Sequence, residues 1–178
     1  MQEDLNYYIY HFSHLHTARY KGKAAPHKAV LLLSVIELIE DEQIRTNTIE
    51  LSDILIDKFQ DIWNRYKGTT SIFTPDIGKP FFHMQHEPFW NLVEHGENNS
   101  ELIGLLGLPR MAKKLPSTSK YSVKSLRESF CYAEVNEGLL SLIKEPESST
   151  KLKNTLIDTY LIIKEPTSGT LSAMDVAA

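Results

Sequence analysis

The stretch PHKAVLLLSVIELIE, residues 26–40, decides how the rest of the chain is read. Pro26 suits the first turn of a helix, where its fixed backbone angle helps and its missing N–H costs least. From His27 to Glu40 no glycine or further proline interrupts the run. Its apolar residues fall on most sides, so this helix is expected at the centre of the fold.

Upstream, residues 4–17 (DLNYYIYHFSHLHT) place Leu5, Tyr8, Ile9, Phe12 and Leu15 or His16 at spacings of three and four. That pattern predicts an amphipathic helix starting near Asp4. The stretch ARYKGKAA, residues 18–25, reads as a small-residue and lysine loop. Downstream, NTIEL (47–51) reads as a short strand, and Ser52 with Asp53 as the cap of a third helix through Tyr66. Ile54, Leu55, Phe59, Ile62 and Trp63 keep one face of that helix apolar. After the loop KGTTSIFTPDIG (67–78), PFFHMQ (80–85) and PFWNLVE (88–94) read as two short strands joined around HEP. A proline at the head of each strand predicts an edge hairpin, where no ladder hydrogen bond is needed.

A weak helical pattern, SELIGLLGL (100–108), leads into a basic loop ending near Tyr121. Ser122 is expected to cap a helix over 123–135, Asn136 one over 137–144, and KLKNTLIDTYLII (151–163) forms the last. The tail 164–178 is small and polar. The expected architecture is mainly α: a single helical domain over residues 1–163 with a small antiparallel β-hairpin, then a flexible tail.

Length and composition agree with one globular domain. The chain has 178 residues, 42% of them hydrophobic and 24% charged. One cysteine, Cys131, excludes an intrachain disulfide framework and a cysteine-built zinc site. The start, MQEDLNYYIY, carries acids where a secretory signal carries basic residues, and no apolar run approaches the roughly 20 residues that span a bilayer. A soluble, intracellular protein is expected.

The net charge of −4 hides an uneven distribution. Residues 19–28 carry four Lys and Arg and no acid, and residues 110–127 carry six and no acid. These stretches hold 10 of the 19 basic residues, leaving 9 against 23 acids elsewhere. A basic face on an acidic body is the natural reading, and two solvated loops the plainer one.

Catalytic chemistry finds little support. His11, His14 and His16 share one predicted helix at spacings that do not bring three imidazoles to one side, and His83 and His86, read on a strand, fall on opposite faces. Pro75 and Asp76 invite comparison with nucleases that use PD followed by (D/E)xK. The next acid, however, is Glu87, followed by Pro88 and Phe89, and the lysine is missing. An HNH centre needs histidines and an asparagine around one metal, yet the last histidine is His95 and no Cys-x-x-Cys follows. No metal, no cofactor and no catalytic residue are expected, and a binding function is the expectation.

APHKAVLLLSVIELIE (25–40) and GKPFFHMQHEPFWNLVE (78–94) together resemble the N-terminal sulfur-binding domain of McrA-like HNH restriction endonucleases. The family pattern has a His-Lys or His-Arg pair before a leucine-rich helix. A Pro-Phe-Phe/Trp-x-Leu/Met run follows about fifty residues later, and then a paired Phe-Trp-x-Leu. The resemblance extends from about Tyr7 to Tyr160 and is carried by the ordered set of motifs, each weak alone.

This resemblance implies recognition of double-stranded DNA carrying phosphorothioate, in which sulfur replaces a non-bridging phosphate oxygen. Sulfur is larger, softer and less hydrated, so a shallow apolar cup can favour it while cations hold the charge. His27 and Lys28 match the basic pair that contacts the modified phosphate, and Pro80 the wall of the cup, with Lys79 and His83 at its edges. The chain departs from the family in having Lys79 before the proline, where an aromatic is usual, and His83 three after it, where a small residue is usual. Arg19, Lys21, Lys23, Lys113, Lys114, Ser117, Thr118 and Lys120 are candidates for backbone phosphates. An HNH domain would follow the last helix in the family, whereas this sequence runs only to Ala178, so binding without cleavage is expected. A reader of modified bases, a general DNA-binding domain and a protein-interaction module are the alternatives, and the charge distribution suits a monomer or a homodimer.

Overall fold

The computed structural model describes residues 2–96 and 121–163. The fold is mainly α, built on the helix that the opening stretch predicts: α2 spans His27–Glu40, and eleven residues between Lys28 and Ile39 are buried. Pro26 sits at its N-terminal boundary, and its carbonyl accepts the first helical bond, from the Val30 N–H at 2.9 Å. α1 (Gln2–Ser13) buries Leu5, Tyr8 and Phe12. It stops short of residue 17 because the Ser13 hydroxyl and His14 Nδ1 both donate to the Tyr10 carbonyl, 2.8 Å each, ending the helical ladder.

Between these helices residues 18–25 form a tight antiparallel hairpin, β1 (Arg19–Tyr20) and β2 (Lys23–Ala24). Lys21 and Gly22 make its two-residue turn with φ of 50° and 77°, the left-handed pair such hairpins require. β3 (Thr48–Ile49) lies within the predicted NTIEL strand, and α3 (Asp53–Arg65) begins where Ser52 Oγ accepts from the Leu55 N–H. A single turn, α4 (Lys67–Thr70), interrupts the following loop.

The segment read as an edge hairpin folds differently. Residues 78–83 form α5 (Gly78–His83), continued by a 3₁₀ turn over Met84–His86, and only Trp90–Glu94 is a strand, β4. Ile77, Phe81 and Met84 are buried at spacings of four and three, a helical pattern, and Pro80 in the first turn of α5 gives up no hydrogen bond. The true partner of β4 is β5 (Phe130–Val135), taken from the second half of the predicted helix 123–135. The helix over that stretch is only α6 (Val123–Ser129), capped by Ser122. FCYAEV is rich in strand-favouring residues, and pairing with both β3 and β4 overrides the continuation of the helix. The antiparallel sheet has the order β3-β5-β4, with Thr48 opposite Glu134 and Leu92 opposite Ala133.

α7 (Glu137–Lys144) follows Asn136, whose side chain does not cap it; Nδ2 donates to Tyr8 Oη instead. α8 begins at Pro146, five residues before the predicted start, because the Glu145 carboxylate accepts from the Glu147 and Ser148 N–H groups. α8 (Pro146–Leu156) widens into a π-helical turn over Ile157–Leu161. α2 packs against α3, α5, α7 and α8, so the first turn of α2 and the body of α5 are held side by side. Among the described residues no helix is long and apolar enough to cross a membrane. The predicted segment 100–108 and the tail 164–178 lie outside the described residues.

Candidate functional site

α2 and α5 meet the β1–β2 hairpin at a cleft of about 820 Å³. Six of the residues singled out from the sequence line it: Arg19, His27, Lys28, Lys79, Pro80 and His83. They come from three places. Arg19 belongs to the hairpin, His27 and Lys28 to the first turn of α2, and Lys79, Pro80 and His83 to α5. Tyr20, Ala25, Ile72 and Phe73 add apolar surface around them.

Hydrogen bonds fix some of these side chains, and others reach into solvent. His27 Nε2–H donates to the Thr74 carbonyl at 2.8 Å, and its ring packs against Trp63 and Phe73. Burial pulls the His27 pKa below its ordinary value, with the Thr74 carbonyl and Asp76 opposing that pull. Lys79 extends into solvent and pairs loosely with Asp76 at 3.8 Å. Asp76 itself anchors the start of α5, its Oδ1 accepting from the Gly78 N–H at 2.9 Å. Burial, with the neighbouring His86, Lys28 and Lys79, lowers the His83 pKa as well. Arg19 Nη1 donates to the Gly22 carbonyl at 3.3 Å, within its own hairpin.

Lys28 occupies a different position from the others. Its side chain is only 7% exposed, and its ammonium lies 2.6 Å from Glu87 Oε1. Glu87, 1% exposed at its side chain, also accepts from the His16 backbone N–H at 2.9 Å and from His16 Nδ1 at 3.2 Å. Burial pushes the Glu87 carboxyl up, but the hydrogen bonds from Lys28 and His16 outweigh it and hold the group below the usual range. Sequence reasoning missed Glu87, because nothing in spacing joins residues 28 and 87. The available signal was an acid inside an otherwise apolar run.

Lys21 and Lys23 stand on the hairpin beside the cleft, exposed, with Lys21 Nζ 5.3 Å from the centre of the Tyr20 ring. Lys113, Lys114, Ser117, Thr118 and Lys120 lie outside the described residues. Tyr121 packs its ring on Phe82 and on His83, with centroids 5.3 and 5.0 Å apart. His83 and His86 do not point to opposite faces: on a helical turn their rings sit 5.7 Å apart, and both line the cleft. Among the described residues no group of three or more His, Cys, Asp or Glu is placed to hold a metal ion.

The arrangement sets the exposed Lys79 ammonium and the positive end of α2 beside apolar surface. Such a site suits an anion with a poorly hydrated side. No protein-family model and no curated protein matches the chain.

Proposed function

We propose that this chain is a DNA-binding module that reads a backbone modification, phosphorothioate. One observation carries the reading: Arg19, His27, Lys28, Lys79, Pro80 and His83, from three separate stretches of the chain, line a single cleft. In this reading Pro80 and the neighbouring apolar groups receive the sulfur, while Lys79, Arg19 and His27 face the phosphate charge. Lys21 and Lys23 follow the backbone to one side and supply salt-sensitive affinity. The setting is a bacterial cytoplasm in which modified DNA is distinguished from unmodified DNA in restriction.

The size of the cleft favours a second reading, recognition of a modified base. About 820 Å³ falls within the roughly 300–1,000 Å³ range of small-ligand pockets, and Tyr20 and Phe73 offer faces on which a flipped base can stack. NMR titration of the isotope-labelled protein with a short duplex carrying one phosphorothioate tests the site itself. Backbone resonances of Arg19, His27, Lys79 and His83 are expected to shift first. Shifts confined to surfaces away from the cleft would reject the assignment.

A further inference from the structure

Lys28 and Glu87 form the most deeply buried ion pair among the described residues, and it stands directly in the cleft wall. Lys28 lines the cleft, whereas Glu87 lies behind it, held by Lys28 Nζ at 2.6 Å and by two donors of His16 at 2.9 and 3.2 Å. A cation that only had to attract phosphate would gain from being left without a carboxylate. Here the carboxylate is built in, and the loop carrying His16 is folded so that its backbone N–H serves it.

We infer that Glu87 determines the selectivity of the cleft, by withholding the Lys28 charge from the bound phosphate. The inference rests on the proposed function, since it concerns the preference between sulfur and oxygen. A close ammonium hydrogen-bonds a hard, hydrated oxygen anion better than a soft sulfur. An uncompensated Lys28 would therefore raise the affinity for ordinary DNA and erode the advantage that the apolar wall gives sulfur. With the charge offset by Glu87, the exposed Lys79 and Arg19 supply general attraction, and contact with Pro80 decides between the two anions. Selectivity of this kind comes from weakening the wrong complex as much as from strengthening the right one.

Glu87→Gln removes the carboxylate and keeps the shape. Titrations of sulfur-bearing and unmodified duplexes over a range of salt should show three changes. Affinity for the unmodified duplex rises, the slope of log affinity against log salt steepens by about 0.9, one more phosphate neutralised, and the sulfur preference shrinks. A purely structural role would lower the affinity for both duplexes and leave the slope alone, which would overturn the inference.

Removing one partner of a buried pair can unfold the site, so the double variant Lys28→Met with Glu87→Gln gives an independent reading. Its salt slope should equal that of the wild type, because the Lys28 charge is already offset. A slope shallower by about 0.9 would mean that Lys28 neutralises a phosphate, and the inference would be wrong. Wild-type protein without any sulfur preference would instead reject the proposed function, and that titration comes first.

Discussion

Gly78 and Tyr121 touch through their backbones: a Cβ added to Gly78 would collide with the Tyr121 carbonyl oxygen. Gly78 is the first residue of α5, and the Tyr121 ring rests on His83 at the other end of the same helix. The close approach therefore sets how α5, with Lys79, Pro80 and His83, sits in the cleft. Gly78→Ala is expected to destabilise the protein by at least about 2 kcal/mol, because backbone must move to admit the methyl group. Urea denaturation measures this, and a change below about 0.5 kcal/mol would show that the contact relaxes freely.

Tyr160 makes a second remote link to the cleft. Its hydroxyl accepts from the Leu15 N–H at 2.9 Å, in a buried position just before His16 and Thr17 reach the cleft wall. Tyr160→Phe keeps the ring and strands that N–H, so a loss of about 1–3 kcal/mol is expected from the same denaturation experiment, with an unchanged denaturant slope.

Much of this frame is legible from residue order, for reasons that can be named. α2 and α3 carry strong periodicity, a proline at the start of one and a serine cap on the other, and all of these signals are local. The strand β5 is not local. FCYAEV becomes a strand because β3 and β4 lie on either side of it, and residues 48 and 92 are far away in the chain. Residues 80–85 form a helix and 3₁₀ turn although their proline and aromatics suggest a strand, and the helical spacing of Ile77, Phe81 and Met84 is the better guide. At the candidate site, Lys28, Lys79, Pro80 and Glu87 all stand in the two motifs, but the pairing of Lys28 with Glu87 is a contact across 59 residues that no spacing shows.

Acid should weaken the fold through His27 and His83. Both have folded-state pKa values lowered from an ordinary value of 6.5, chiefly by burial. The unfolded chain then binds more protons than the folded one as pH falls below about 6.5, so stability declines through that window and is fully present above it. The melting temperature should drop between pH 7.5 and 5.5, and His27→Gln, which can still donate to Thr74, should drop less. Equal pH slopes for the two proteins would contradict this assignment. DNA affinity should move the other way, rising with acid as a bound phosphate draws protons onto the same rings.

Pro80 and Lys79 are neighbours with separable duties. Pro80→Ala keeps the helical turn but removes ring carbons from the wall, at about 0.8 kcal/mol per lost CH₂ contact, so the sulfur preference should fall several-fold with little change for ordinary DNA. Lys79→Ala should weaken both duplexes alike and make the salt slope shallower by about 0.9. Paired titrations of the two variants check this, and a common effect on both quantities would mean that the two roles are not separate.

The central claim is most directly tested by fluorescence anisotropy with two duplexes of one sequence, one carrying a single phosphorothioate and the other none, at several salt concentrations. Tighter binding of the sulfur duplex is expected at every salt, with both affinities falling steeply as salt rises. Equal affinities for the two duplexes, or no binding to either at moderate salt, would contradict the account.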